Sequence, residues 1–242
     1  AELIILTNGI LLKGKIKEQL KGYDPSRLKL QISLDGTTAE KNDPIRGEGT
    51  FEKILQGIRN AVELGLLTSV TTAITRTNLG DLPNFPKLLA ALEVRNYHLL
   101  WPHKRGRALA GEDYAVTIPE LIQTLRQLCE KAREVNITLD NFEEFVGRVN
   151  DLRGIKKDLS GAGVNSLCVY ADGNVYPSPA FADISELKCG SILDQSLEEI
   201  LLGSSITKQL QAVSLQEKPI CPTCPWKFIC GGGDIEHAYF YS

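Results

Sequence analysis

The stretch LKLQISLDGTTAEKNDPIRGEGTFEKILQGIRNAVELG, residues 28–65, decides the reading of the fold. Its first eight residues alternate. Leu28, Leu30, Ile32 and Leu34 fall on one face and Lys29, Gln31, Ser33 and Asp35 on the other, the period of a β-strand. From Thr50 the period lengthens. Phe51, Ile54, Leu55, Ile58 and Val62 form a helical stripe, with Thr50 expected as its N-cap and Gly65 as its C-cap.

The same rhythm extends on both sides. Leu3–Thr7 is a nearly continuous apolar run, as expected of a strand covered on both faces. Further strands are expected near Thr68–Thr75 and Tyr97–Trp101, with a helix near Pro86–Glu93 between them. Such βαβα alternation argues for an α/β fold of parallel strands joined by helical crossovers. Four strands are too few to close a barrel. With helices outside, Lys29, Gln31 and Ser33 point into the interior of an open or partial barrel that holds a polar ligand. The alternative is an antiparallel sheet with one solvated face.

Beyond residue 115 the texture changes. Thr117-Ile118-Pro119-Glu120 has capping-box spacing, and Leu121, Ile122, Leu125, Leu128, Cys129 and Ala132 then define an apolar helical face. Cys129 reads as core packing. A second helical stretch is expected near Phe142–Asn150, and Asp151–Gly163 reads as a domain junction. Short strands with a turn at Asp172-Gly173 and a helix around Leu197–Leu202 follow. The domains expected are 1–115 for the barrel part, 116–158 for a helical bridge and 159–242 for a small cysteine-rich domain.

Composition narrows the class. The chain has 242 residues, 43% of them hydrophobic, and a formal net charge of −3. That charge gives no electrostatic reason for nucleic acid as a partner. No apolar run is long enough to span a membrane, and the opening lacks the basic region of a signal peptide. Six cysteines bunched toward the C-terminus fit metal binding in a reducing, cytoplasmic compartment better than a disulfide framework. The chain starts at Ala1 and contains no methionine, which suggests a piece of a longer protein.

The chemistry gathers in the cysteines. Cys221, Cys224 and Cys230 give C-x2-C-x5-C, a spacing that can turn thiolates toward one centre. Cys168 opens a hairpin and Cys189 precedes the next helix. Iron–sulfur binding is the first expectation, zinc the second. Gly231-Gly232-Gly233 would let the backbone approach a ligand and donate amides to sulfur. Asp234 and His237 read as surface polar groups. In the N-terminal half, candidates lie at strand ends, where parallel sheets place their sites. They are Thr7-Asn8-Gly9, Ser33 to Gly36, Arg46-Gly47, Arg76-Thr77-Asn78, and Trp101-Pro102-His103 with Arg105. His103 reads as a surface-loop histidine rather than a catalytic base.

In order along the chain, ILTNG at 5–9, QISLDGTTAEKNDPIRGEGTFEKILQGI at 31–58, DGNVYPSPAF at 172–181, CGSILDQSLEEI at 189–200 and CPTCPWKFICGGG at 221–233 resemble the radical S-adenosylmethionine family with a C-terminal SPASM-type domain. The resemblance implies a partial, TIM-like β/α barrel binding S-adenosylmethionine beside a 4Fe–4S cluster. One-electron reduction there yields methionine and a 5′-deoxyadenosyl radical that abstracts a substrate hydrogen. It places Ser33 and Asp35 near the methionyl or ribose part of the cofactor, Arg46 against its carboxylate, and the strand end carrying Trp101 and His103 beside the adenine; Thr7 and Asn8 complete this set. Cys168, Cys189, Cys221, Cys224 and Cys230 would hold an auxiliary 4Fe–4S cluster, one rather than two.

The implied partners are a ribosomally made precursor peptide and an electron donor such as ferredoxin or flavodoxin, with no nucleic acid and no membrane. The family's C-x3-C-x2-C motif would lie before Ala1, so this chain alone is expected to be inactive. Serine stands at 160 and 178 and aspartate at 234, where the SPASM pattern has cysteines. A non-catalytic peptide- or partner-binding protein with a zinc-stabilised tail is the competing reading.

Overall fold

The computed structural model describes residues 2–103, 105–106, 116–142 and 161–241. The chain divides into two compact units. The first comprises residues 1–102 and 106–144, the second residues 103–105 and 145–242.

The first unit is built on a five-stranded sheet of β1 (Leu3–Thr7), β2 (Leu28–Ser33), β3 (Leu67–Ala73), β4 (Asn96–Leu100) and β5 (Thr138–Leu139). Strand order follows chain order and every pairing is parallel. The polar face of β2 therefore belongs to a parallel β/α sheet and not to an antiparallel one. The fifth strand was not expected; it is two residues long, too short to show a period. The helices α1 (Gly14–Leu20), α2 (Ala39–Arg46), α3 (Phe51–Glu63), α4 (Phe85–Ala91) and α5 (Ile118–Glu134) fill the connections.

The alternation in β2 sets the core. Leu28, Leu30, Ile32 and Leu34 are buried in one cluster with Ile54 and Ile58 of α3, Val70 of β3 and Tyr97 of β4. Tyr97 stacks on Phe85 of α4, ring centroids 5.0 Å apart. Gln31 and Ser33 lie on the opposite face, where the Gln31 amide donates to Ser69 Oγ across the strand pair.

Two expectations are corrected here. Leu3 to Leu6 of β1 are exposed, with Leu6 at 68%, so this run forms the edge of the sheet and is not covered on both faces. The N-cap of α3 is not the Thr50 side chain, because Thr50 itself has helical dihedrals. Asp43 takes that role. Its carboxylate accepts the Phe51 amide at 2.9 Å and the Gly49 amide at 2.7 Å; a bond from the Asn42 side chain, and then these two, hold its carboxyl below the usual range.

Helix α5 begins as the sequence suggests. Thr117 and Glu120 form a reciprocal capping box, with proline in the first turn. Leu128 and Ala132 are buried, Cys129 packs against the core, and Ile122 is exposed, so the apolar face is narrower than its sequence implies. The helix expected near Phe142–Asn150 lies outside the described residues beyond Phe142. So does the expected junction up to Ser160.

The second unit has a three-stranded antiparallel sheet of β6 (Cys168–Val169), β7 (Asn174–Tyr176) and β8 (Gly190–Ser191), in that order. The β6–β7 turn falls at Asp172-Gly173, with Gly173 at φ +83° and the Asn174 amide bonded to Asp172. Helices α6 (Leu197–Gly203), α7 (Ser205–Ala212), α8 (Lys227–Cys230) and α9 (Ile235–Tyr241) follow. A Ser196–Glu199 capping box starts α6.

Candidate cofactor face and metal centre

The loops at the C-terminal strand ends of the first unit are locked by short polar bonds. After β1, Thr7 Oγ1 accepts the Gly9 amide and Asn8 Oδ1 accepts the Ile10 amide, both at 3.1 Å. Gly9 sits at φ +70°, and a Cβ on Gly57 of α3 would lie 2.3 Å from the Gly9 carbonyl oxygen. The two glycines together let this loop run directly against α3.

Asp35 is the hub after β2. It is 1% exposed. One carboxylate oxygen accepts the Ala73 amide of β3 at 2.9 Å, and the other meets Arg46 Nε at 2.5 Å. Asn78, fully buried, donates to the carbonyls of Asp35 and Ala73 and accepts the Thr75 amide. Asp81 holds the Thr37 amide and hydroxyl, each at 2.7 Å. Asn42 Oδ1 accepts the Asp35 amide. Asp35 and Arg46, both expected at the cofactor, thus face each other as a partly buried ion pair. Ser33 is half-buried on the sheet face away from the helices.

Trp101 packs against the core of the first unit. His103 belongs to the second, and it is not a surface-loop histidine. Its side chain is 22% exposed, its Nε2 lies 3.5 Å from Glu236, and its ring is 4.8 Å from that of His237. Burial raises the Glu236 carboxyl, but the hydrogen bond with His103 and the neighbouring imidazole charges outweigh it and leave it below the usual range. Burial, followed by the His103 charge, pushes His237 down, against the pull of Asp234. Asp234 and His237 are half-buried and paired with each other, so neither is a plain surface group. Arg105 donates to the carbonyls of Pro179, Ala180 and Ala182.

All six cysteines are free thiols. Cys168 lies on β6 opposite Tyr176, and burial pushes its thiol up, partly offset by the Arg105 charge. Cys189 precedes β8, its amide bonded to the Val175 carbonyl, and burial raises its thiol too. Cys221 opens a tight turn in which the Cys224 amide donates to its carbonyl at 3.1 Å. Cys230 ends α8, and Gly231, Gly232 and Gly233 all have positive φ. Lys227 Nζ ties α8 back to this turn through the Pro222 carbonyl. Among the described residues, no three His, Cys, Asp or Glu side chains are already gathered for a metal ion. The donors nevertheless suit an iron–sulfur group, being free thiols, two of them (Cys221 and Cys224) on one tight turn and Cys230 beside glycine backbone at positive φ.

Sequence reasoning gave Asn78 only as one of several strand-end candidates and missed Asn42 and Asp81. Their roles come from partners up to 44 residues away. A signal for Asn78 was its place just after a strand; nothing local marked the other two.

Residues 161–225 match the family model of SPASM, an iron–sulfur cluster-binding domain. The chain is 29% identical over 97% of its length to the mycofactocin maturase MftC of Mycobacterium tuberculosis, covering 59% of that protein. It is 26% identical over 95% of its length to the Fe-coproporphyrin III synthase of Methanosarcina barkeri, covering 63% of it. Its fold matches that of anSMEcpe with bound AdoMet at a TM-score of 0.76 and 17% identity, over 97% of this chain and 66% of the other. The chain thus spans about three-fifths of the curated relatives it matches.

The class these features define is a partial β/α barrel followed by an iron–sulfur-binding SPASM domain. Within that class, residues 161–225 match the SPASM family, and the chain as a whole is similar to the maturase and the synthase named above. Among the described residues, no helix is long and apolar enough to cross a membrane.

Proposed function

We propose that this chain is part of an enzyme that modifies a ribosomally made precursor peptide by radical S-adenosylmethionine chemistry, with an auxiliary 4Fe–4S cluster in its second unit. The observation that carries this reading is likeness to the mycofactocin maturase over 97% of the chain, through both the sheet and the cysteine-rich unit. When bound, S-adenosylmethionine beside a reduced cluster supplies hydrogen abstraction from an unactivated C–H bond.

The chain's own residues hold and orient. Thr7, Asn8, Ser33 and Trp101 lie at or near the ends of β1, β2 and β4, where parallel sheets bind ligands. Asp35 fixes the Arg46 side chain through Nε, so that the guanidinium is presented as a preset cation for the cofactor carboxylate. Cys168, Cys189, Cys221, Cys224 and Cys230 would hold the auxiliary cluster, with residues 1–115 as the barrel part, 116–158 as a helical bridge and 159–242 as the cysteine-rich domain. A low-potential donor such as ferredoxin or flavodoxin would supply the electron, in the cytoplasm.

The match to Fe-coproporphyrin III synthase supports a second reading, in which the substrate is a tetrapyrrole. One experiment separates them. The protein carrying this chain, reconstituted anaerobically, is incubated with S-adenosylmethionine, dithionite and either a precursor peptide encoded beside its gene or an iron porphyrin. Formation of 5′-deoxyadenosine with a mass change in the peptide is the expected result. A mass change in the porphyrin alone would transfer the assignment, and 5′-deoxyadenosine with neither product would overturn the peptide reading.

A further inference from the structure

The sheet face turned away from the helices carries a polar row of which the cofactor reading uses only Ser33. Ser33 of β2 lies beside Thr71 of β3, and Thr71 beside His98 of β4. Asp140 directly follows β5, and its carboxylate sits 2.6 Å from His98 Nδ1, with the two side chains 26% and 28% exposed. The pairing is braced by the next residue. Asn141 accepts the Leu99 amide at 2.7 Å and donates to the Leu99 carbonyl at 2.9 Å, zipping the segment after β5 onto β4.

A carboxylate at Nδ1 selects the tautomer with hydrogen on that nitrogen and leaves Nε2 as the accepting atom. Among the described residues, Nε2 has no hydrogen-bond partner. The second observation is independent of the dyad. Thr71 is 2% exposed, and its hydroxyl has no partner among the described residues. A buried hydroxyl left unpaired is destabilising, and one on a ligand-facing surface calls for a partner from the ligand.

We propose that His98, held by Asp140, accepts a hydrogen bond and then the proton from a hydroxyl group of the bound substrate, next to Thr71. A hydroxyl fits both neighbours at once, donating to His98 Nε2 while accepting from Thr71 Oγ1; an amide N–H satisfies only the first. A carboxylate ligand is disfavoured by the Asp140 charge beside the ring. In the transfer, the O–H bond breaks, its electron pair stays on oxygen, and the proton forms the Nε2–H bond of an imidazolium that Asp140 stabilises. No oxidant or reductant takes part. The inference rests on the proposed function only in taking this face as the substrate's.

The test is nitrogen-15 NMR of the histidine side chains in the full chain, with His98→Gln assigning the resonances. The probes are N-acetylserine methylamide and N-acetylalanine methylamide, which differ by one hydroxyl. The expected result is that, in the neutral ring, His98 Nε2 carries no hydrogen and its resonance moves with the serine probe and not with the alanine probe. Thr71→Val should cut that difference at least twofold, and Asp140→Asn should abolish it by releasing the tautomer. Nε2 carrying the proton in the neutral ring, equal shifts with both probes, or no shift with either would overturn the proposal. None of these readouts uses iron or S-adenosylmethionine, so failure here leaves the maturase reading standing, and failure of that reading leaves the dyad to be judged alone.

Discussion

The two compact units are stabilised in different ways. The first has a continuous apolar core running from Leu12 through β2, α3, β3 and β4 to Leu139, with Ile32, Ile54, Ile58 and Val70 all at 0% exposure. Among its described residues, the second has strands of two or three residues and few buried apolar side chains, chiefly Val175, Tyr176, Phe181, Ile200 and Leu215. Turns, caps and single-turn helices supply the rest. Short strands with so few buried apolar side chains among the described residues are expected to draw stability from a bound group, as small metal-binding domains do. The unit's five free cysteines provide the means.

The largest expected effect tests that contrast directly. Removing iron from the reconstituted chain with a chelator should abolish slow hydrogen exchange in residues 161–241 and leave it intact in β2 and β3. Cys221→Ser with Cys224→Ser should act in the same way. Equal loss in both units would remove the distinction. Next in size, Ile54→Ala should cost about 2–5 kcal/mol, read by urea denaturation of the first unit, because it opens a cavity in a filled core. Cys129→Ala should cost about 1–2 kcal/mol and leave iron content unchanged, as expected of a packing cysteine outside the metal set. Thr117→Ala should cost about 1 kcal/mol through loss of the capping box, seen in the first unit alone.

The smallest effect is chemical. Burial raises the Cys189 thiol, so its protonated form persists to higher pH than that of an ordinary thiol and its thiolate fraction grows as pH rises. Alkylation by iodoacetamide in the apo chain, followed by peptide mass spectrometry, should reach half its maximal rate at higher pH for Cys189 than for glutathione.

The same contrast explains what the sequence made legible. The strands around Leu30, Val70 and Tyr97 and the helix of Ile54 and Ile58 were readable because each buries a periodic face in one core. The Thr117 and Ser196 capping boxes differ in this respect: the first was visible beside a long apolar stripe, the second passed unnoticed beside a short helix. Helix α2 was hidden by its polar composition and by Pro44 within it. In the site, Asp35 and Arg46 stood out next to a strand and a glycine turn. The bonds of Asp81 to Thr37 and of Asn141 to Leu99 did not, since no local pattern encodes a contact made across 44 or 42 residues. The cysteines were the reverse case, singled out by spacing alone, while the structure shows no gathered set among the described residues.

The proposal on which the rest depends is that the cysteine-rich unit binds an iron–sulfur group. Its most direct test is iron and acid-labile sulfide analysis of the anaerobically reconstituted chain, with an absorption spectrum, for the wild type and the Cys221→Ser/Cys224→Ser variant. Iron and sulfide in near-equal amounts with broad charge-transfer absorbance are predicted for the wild type, and loss of both for the variant. Zinc without sulfide, or equal iron in the two proteins, would contradict it.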